Sequence, residues 1–346
     1  MADFLPVLSS GPATFLPMIA YEALQNHLRA NPLKWLVTGG AGFIGSHLVE
    51  KLLSLGQQVI VLDNLATGKR SNLDDAIQGA PIEHRGKIRF VKGDITDKTV
   101  CHSACAEVDY VLHQAGLGSV PRSIEKPAET HAANLTGTLN MLVAARDAGV
   151  KRMVYASSSS VYGDDPTLPK VEGITGNPLS PYAASKAMCE TYSQVFHRCY
   201  GFESLGLRYF NVFGPRQDPE GAYAAVLPKW LAALKKGEPV FINGDGETSR
   251  DFCYVANVVQ ANLLAATSDH RELGCQAFNV ARGDRTSLND LYKAITASLK
   301  KREPSLGDPQ PVYRDFRAGD ILHSQADISS LRRLTGYSPT HDVRQG

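Results

Sequence analysis

The chain reads as an α/β protein, a doubly wound parallel sheet followed by a smaller C-terminal substrate-binding lobe. Three observations carry this reading. Strand-like and helical runs alternate up to about residue 210. A glycine-rich turn, Gly39-Gly-Ala-Gly42-Phe-Ile-Gly45, stands directly between the first strand-like run and a helical pattern. A carboxylate, Asp63, ends the second strand-like run.

The elements follow in order. Residues 35–38 are a short apolar run, read as a buried strand, and the helical pattern of the glycine turn runs to Leu55. Further strands are expected at 58–62, 88–92, 110–113, 153–156 and 204–209. Helices are expected between them, notably at 131–148 and 183–198. After Asn211 the pattern changes to loops such as Gly214-Pro-Arg-Gln-Asp-Pro-Glu-Gly221, with short helical pieces at 226–236 and 287–299. The expected division is an arm with a short helix (1–30, the helix at 19–28), a sheet domain (31–210, rejoined near 252–280) and a mainly substrate-binding lobe (211–346).

Composition narrows the class. The 346 residues suffice for one large domain or two, and a hydrophobic content of 43% is ordinary for a globular chain. A formal charge of +1 without long runs of one sign argues against a nucleic-acid surface. No apolar stretch reaches the roughly 18 residues needed to span a bilayer. Pro6 and Pro17 interrupt the apolar N-terminal segment, and Met1-Ala-Asp-Phe lacks the basic start of an export signal. The six cysteines (Cys101, Cys105, Cys189, Cys199, Cys253, Cys275) form no CxxC pair. They read as free thiols in a reducing cytoplasm. Cys101 and Cys105 have helical spacing, but no His or carboxylate cluster completes a metal site.

Gly39, Gly42 and Gly45 let a backbone turn tightly and approach a pyrophosphate, and the following helix N-terminus offers free N–H groups. Asp63, 18 residues after Gly45, suits a ribose 2′-hydroxyl and repels a 2′-phosphate, so NAD is expected rather than NADP. The competing role for Asp63-Asn64 is a simple turn. Asp94-Ile95 ends the third strand, where an adenine edge is read. Gln114-Ala115-Gly116 ends the fourth, with small residues towards the pyrophosphate; ordinary loop glycine is the competing role for Gly116 and Gly118. Tyr182 and Lys186 lie four apart on one helix face. An ammonium beside a phenol favours the phenolate, which takes a proton from an alcohol while a hydride leaves the same carbon. Serines 157–160 end the fifth strand, where one of them can orient a substrate hydroxyl.

Together, Gly39-x-x-Gly42-x-x-Gly45, Asp63-Asn64, Ser159-Ser160-Val-Tyr-Gly163, Tyr182-x-x-x-Lys186 and Arg208-Tyr-Phe-Asn211 resemble the extended short-chain dehydrogenase/reductases. Within them the chain is most similar to UDP-hexose 4-epimerases. Gly118-Ser-Val-Pro-Arg-Ser123 and Asn243-Gly-Asp-Gly-Glu-Thr-Ser-Arg-Asp-Phe252 resemble the bacterial UDP-N-acetylglucosamine 4-epimerase group. The resemblance covers about residue 20 to the end.

It implies a Rossmann-like fold, with Tyr182 as acid/base, Lys186 as its activator and nicotinamide-ribose ligand, and Ser158 as the catalytic serine. Phe43, Ile44, Asn64, Thr67, Gly68, Asp94, Ile95, Gln114, Ala115, Gly116, Asn134 and Phe210 would contact NAD. Ser119, Ser158, Ser159, Asn211, Ala225, Val226, Phe241, Arg250, Arg317, Asp320 and Ser324 would hold the UDP-sugar. Phe241 would stack on uracil, with core packing as its competing role, and a solvated surface charge is the competing role for each Arg. Related dehydratases carry Asp-Glu where this chain has Ser159-Ser160, and related decarboxylases a Glu at position 160. Neither acid is present, so oxidation at C4 is expected to be followed only by return of the hydride. Ser324 stands where members restricted to plain hexoses often have Tyr, which leaves room for a 2-N-acetyl group.

The expected activity is therefore 4-epimerisation of UDP-GlcNAc and UDP-GalNAc with bound NAD. A UDP-hexuronic or UDP-N-acetylhexosaminuronic acid, its carboxylate paired with Arg122, is the alternative substrate. A catalytically silent NAD-binding sensor is the alternative class. The resemblance further implies a homodimer through helices 131–148 and 183–198. It implies one more C-terminal helix than the chain carries, which would weaken the second lobe. Gly118 replaces a Lys that some hexose epimerases place near the nicotinamide, so Lys186 would serve alone.

Overall fold

The computed structural model describes residues 17–219, 225–270, 272–304, 307–316 and 322–346. Its centre is a sheet of seven strands: β1 (Lys34–Thr38), β2 (Gln58–Asp63), β3 (Ile88–Lys92), β4 (Tyr110–His113), β5 (Arg152–Ser158), β6 (Ser204–Tyr209) and Ala277–Val280. Their spatial order is Ala277–Val280, β6, β5, β4, β1, β2, β3, and every neighbouring pair is parallel. The expected fold class is borne out. β1 pairs with both β2 and β4, so the winding reverses beside it, and a crevice opens there at the strands' carboxyl ends.

The apolar runs become strands because both sheet faces are covered. Side chains alternate between two cores: Trp35, Val37, Val59 and Val61 enter one, while Leu36, Ile60 and Leu62 enter the other. The first core is completed by Leu48 and Leu52 of α2 (Phe43–Ser54) and by the helix Val255–Thr267. The chain thus rejoins the sheet layer after residue 252, through that helix and Ala277–Val280. An earlier helix, α1 (Pro17–Ala30), packs on the same side; Leu28 is fully buried and its carbonyl accepts from Gln57 Nε2 at 2.7 Å. The loose arm expected before it lies outside the described residues.

The helix expected at 183–198 spans Pro181–Tyr200. Ser180 Oγ accepts from Ala183 N at 3.1 Å, Pro181 fills the first turn, and Gly201 closes the end at φ +67°. The helix expected at 131–148 differs: it begins earlier, at Pro127–His131, passes through a wide π turn, Ala132–Thr136, and continues as Gly137–Asp147. The extra residue in that turn has a local use, because Asn134 bonds the neighbouring loop. Among the described residues no helix is long and apolar enough to cross a membrane.

The later part of the chain builds a separate small core from Phe213, Trp230, Leu234, Ile242, Phe252, Leu291 and Ile295. It is laced by short pairings, Val212–Phe213 with Cys253–Tyr254 and Phe241–Asn243 with Val312–Arg314. At its junction with the sheet sits Asp251, fully buried, accepting from the backbone N–H of Arg282, Gly283 and Ala326 at 2.9, 3.1 and 3.2 Å. Burial pushes its carboxyl from the ordinary 3.8 up to about 7, against the lowering effect of those three donors. The native state therefore binds this proton more tightly than the unfolded chain. Its stabilising contribution is full below about pH 3.8 and is lost as pH rises through about 7. Urea midpoints measured from pH 5 to 8 should fall with rising pH, and Asp251→Asn should flatten that slope.

Candidate active site

A cleft of about 620 Å³ opens along the carboxyl ends of the central strands. The glycine turn forms one wall. Gly39 has φ +67°, and a Cβ there would lie 2.7 Å from Ala115 N; a Cβ on Gly45 would lie 2.1 Å from Gly39 O. Only bare backbone fits. α2 starts after Gly42 without any side-chain cap, so its first N–H groups are left for a ligand, and Gly42, Phe43, Ile44 and Gly45 all line the cleft.

Beside this wall stand Asp63, Asn64, Thr67, Gly68, Asp94 and Ile95. Asp63 is buried and accepts from Ala41 N at 2.9 Å and Leu65 N at 2.7 Å. A carboxylate has about four acceptor positions, which leaves capacity for a diol. Burial raises the Asp94 carboxyl, but the Thr96 N–H and hydroxyl (both 2.8 Å) and Asn64 Nδ2 (2.7 Å) outweigh it and hold the group below its ordinary value.

The far end holds Gln114, Ala115, Gly116, Ser158, Tyr182 and Lys186. Lys186 is buried, its Nζ 6.0 Å from the Tyr182 ring centroid and donating to Ala156 O at 2.8 Å. Ser158 Oγ accepts from Ser160 N at 3.1 Å and from Ser160 Oγ at 2.9 Å. Asn134 does not line the cleft. Its amide grips Leu117 at both backbone atoms (2.7 and 3.1 Å) and donates to Ser185 Oγ at 3.1 Å, which holds the loop Gly116-Leu117-Gly118 in place.

Phe210, expected to touch the cofactor, is instead fully buried, its ring 6.0 Å from that of Tyr162. Successive residues of an extended chain face opposite ways. It is Tyr209 that lines the cleft, its hydroxyl donating to Gln114 Oε1 at 3.0 Å. Leu117 and Val212 also line it and were not named from sequence, and Ser157, which lines it too, was named only within the run 157–160. The serine run was the available signal for Ser157, and the strand parity of Arg208-Tyr209 for Tyr209.

The remaining substrate candidates stand outside the cleft lining. Ser119 caps the helix Val120–Glu125, and Ser159 opens the 3-10 turn Ser159–Tyr162. Asn211 donates to Asp251 O at 3.1 Å, and Ala225 precedes Val226 at the start of the helix Val226–Lys235. Phe241 carries the Arg314 guanidinium 3.2 Å from its ring centroid. Arg250 Nη1 donates to Ser249 O at 3.0 Å and Leu322 O at 3.1 Å, and Ser324 N donates to the same Ser249 O at 3.0 Å. Arg317 and Asp320 lie outside the described residues. Arg216 pairs with Glu50 at 2.6 Å and Asp218 with Lys69 at 3.1 Å, tying the loop after Phe213 back to α2 and to the residue after Gly68.

With this geometry in hand, known proteins give a consistent picture. The sequence pattern of the NAD dependent epimerase/dehydratase family matches residues 35–281. The chain belongs to that family. A putative UDP-glucose 4-epimerase of Methanocaldococcus jannaschii is 37% identical over 313 residues, 90% of this chain and 95% of that protein. The solved UDP-N-acetylglucosamine 4-epimerase of Methanobrevibacter ruminantium, in complex with UDP-N-acetylmuramic acid, is 39% identical with a TM-score of 0.82, covering 91% of this chain and 96% of that one. The UDP-glucose 4-epimerase of Thermus thermophilus, solved with NAD, is 36% identical with a TM-score of 0.76, covering 90% and 97%. The cofactor is NAD. The bare glycine wall, the uncapped helix and the buried Asp63 fit that dinucleotide.

Proposed function

We propose that this UDP-sugar 4-epimerase interconverts UDP-GlcNAc and UDP-GalNAc. Bound NAD supplies a reversible hydride acceptor. Tyr182 takes the proton from the sugar 4-hydroxyl and returns one to the same oxygen after the 4-keto sugar has turned over. Ser158 orients that oxygen, and Lys186 sets a positive charge where negative charge develops on the phenol. Asp63 holds the adenosine ribose. In the second lobe Arg250, Phe241 and Asn211 hold the UDP, with Arg317 and Asp320. Neither Ser159 nor Ser160 offers the carboxylate that elimination or decarboxylation would need, which supports epimerisation alone.

Ser324 is the observation that carries the acetylated reading. Relatives named for UDP-glucose stand at similar identity to the one named for UDP-N-acetylglucosamine. The choice therefore rests on this small side chain, on a residue whose backbone N–H donates to Ser249 O next to Arg250. Ser324→Tyr should lower kcat/KM for the acetylated pair by about 10–100-fold and leave the plain hexose pair nearly unchanged. Assaying both pairs tests this, and equal loss on both would sink the reading. Exposed Met188, Tyr192 and Val195 on the helix Pro181–Tyr200 support a homodimer through that face. Cys101 and Cys105 are buried free thiols, which is consistent with action in a reducing cytoplasm.

A further inference from the structure

Beneath the cleft lies a charged pair that the reaction itself does not use. Tyr182, Lys186 and Glu190 follow at four-residue steps on the helix Pro181–Tyr200 and so share one stripe. Tyr182 and Lys186 line the cleft, whereas Glu190 lies below it, 9% exposed, facing Arg208 of β6, 5% exposed. Arg208 donates through Nε to Glu190 Oε1 at 2.9 Å and through Nη2 to Oε2 at 2.7 Å. Glu190 Oε1 also accepts from the Ser157 hydroxyl at 2.5 Å, and Arg208 Nη1 reaches Glu172 O at 3.0 Å. Ser157 and Arg208 are ladder partners on β5 and β6. Three successive residues at the end of β5 are thereby anchored: Ala156 O by Lys186, Ser157 by Glu190 and Ser158 by Ser160.

Stability alone does not account for the pair. Desolvating two charges offsets much of their attraction, and well-packed apolar replacements are often neutral or stabilising. What the fork does provide is direction. Ser158 sits on a strand and Tyr182 on a helix, and the fork with Ser157 joins those two elements beside the cleft, next to the bond from Lys186 to Ala156 O. We propose that Glu190 and Arg208 are positioning residues for the epimerisation, their buried fork and Ser157 setting the spacing between Ser158 and Tyr182. This rests on the assignment of Ser158 and Tyr182 as the reacting side chains.

The test replaces the fork by apolar groups, Glu190→Leu with Arg208→Met, in the full chain with its NAD. The assay uses whichever of UDP-GlcNAc, UDP-glucose and UDP-glucuronate the unaltered protein turns over. A melting temperature and NAD content like those of the unaltered protein are expected, with KM little changed and kcat lower by about 100-fold. Glu190→Gln, whose Oε1 still accepts from Ser157 and from Arg208 Nε while its Nε2 faces Arg208 Nη2, should recover part of that loss. A folded double variant with unaltered kcat overturns the proposal. If the double variant does not fold, Ser157→Ala decides: a fall in kcat of about tenfold at unchanged melting temperature and KM supports the proposal, and unaltered kcat overturns it. Absence of turnover by the unaltered protein on all three sugars would overturn the functional reading and this inference together.

Discussion

Tyr182→Phe is expected to lower kcat by about 1,000-fold while the protein still purifies with NAD, as expected for loss of a general acid/base. The substitution removes one oxygen and keeps the ring that lines the cleft. Lys186 remains anchored on Ala156 O, and the glycine wall at the other end is untouched. Binding of the dinucleotide and of the sugar should therefore survive, so KM should change little and the loss should fall on kcat. NAD content, read from the released nucleotide, and initial rates on one UDP-sugar separate the two effects. A kcat within about tenfold of the unaltered value would remove Tyr182 from the role of proton acceptor.

Gly45→Ala is expected to give protein without NAD and with almost no activity. Its Cβ would meet Gly39 O at 2.1 Å and the Gly39 and Gly40 backbone at 2.8 Å. Backbone cannot swing aside as a side chain does, so α2 must move off the turn assigned to the pyrophosphate. Overpacking of this kind costs about 1–3 kcal/mol, and the displaced helix start loses its aim at the phosphates. Gly173→Ala is the matched control, since a Cβ there meets nothing within 4 Å. Chromatography of the nucleotide released on denaturation reads the outcome. Full NAD content in Gly45→Ala would contradict the assignment of this wall to the pyrophosphate.

The fold was readable from sequence where a segment buries both faces. β4 and β6 have the expected ends and buried runs, whereas β3, at the sheet edge, has the expected ends without a buried residue, its run closed by Gly93. β5 runs past its expected end to Ser158 because its last two residues are polar, so the apolar run stops before the strand does. The glycines and Asp63 were readable as cleft wall because that wall admits only bare backbone at Gly39 and Gly45 and because Asp63 closes β2. Tyr182 and Lys186 were readable because helical spacing puts them side by side.

Other features left no local trace. The π turn at Ala132–Thr136 has no distinctive composition, and only the tertiary bonds of Asn134 explain it. Phe210 and Tyr209 differ by one step of strand parity, which separates them only once it is known which face Arg208 takes. The Glu190–Arg208 fork joins a helix to a strand 18 residues on, and periodicity within one element does not see it. In the second lobe, pairings of two or three residues are shorter than any window in which alternation can be recognised.

The most direct measurement is incubation of the purified protein with UDP-GlcNAc and no added NAD, followed by proton NMR of the sugar anomeric region. Appearance of UDP-GalNAc is predicted, with NAD carried by the protein itself. No conversion of UDP-GlcNAc even after NAD is added, alongside turnover of UDP-glucose or UDP-glucuronate, would contradict the proposed substrate.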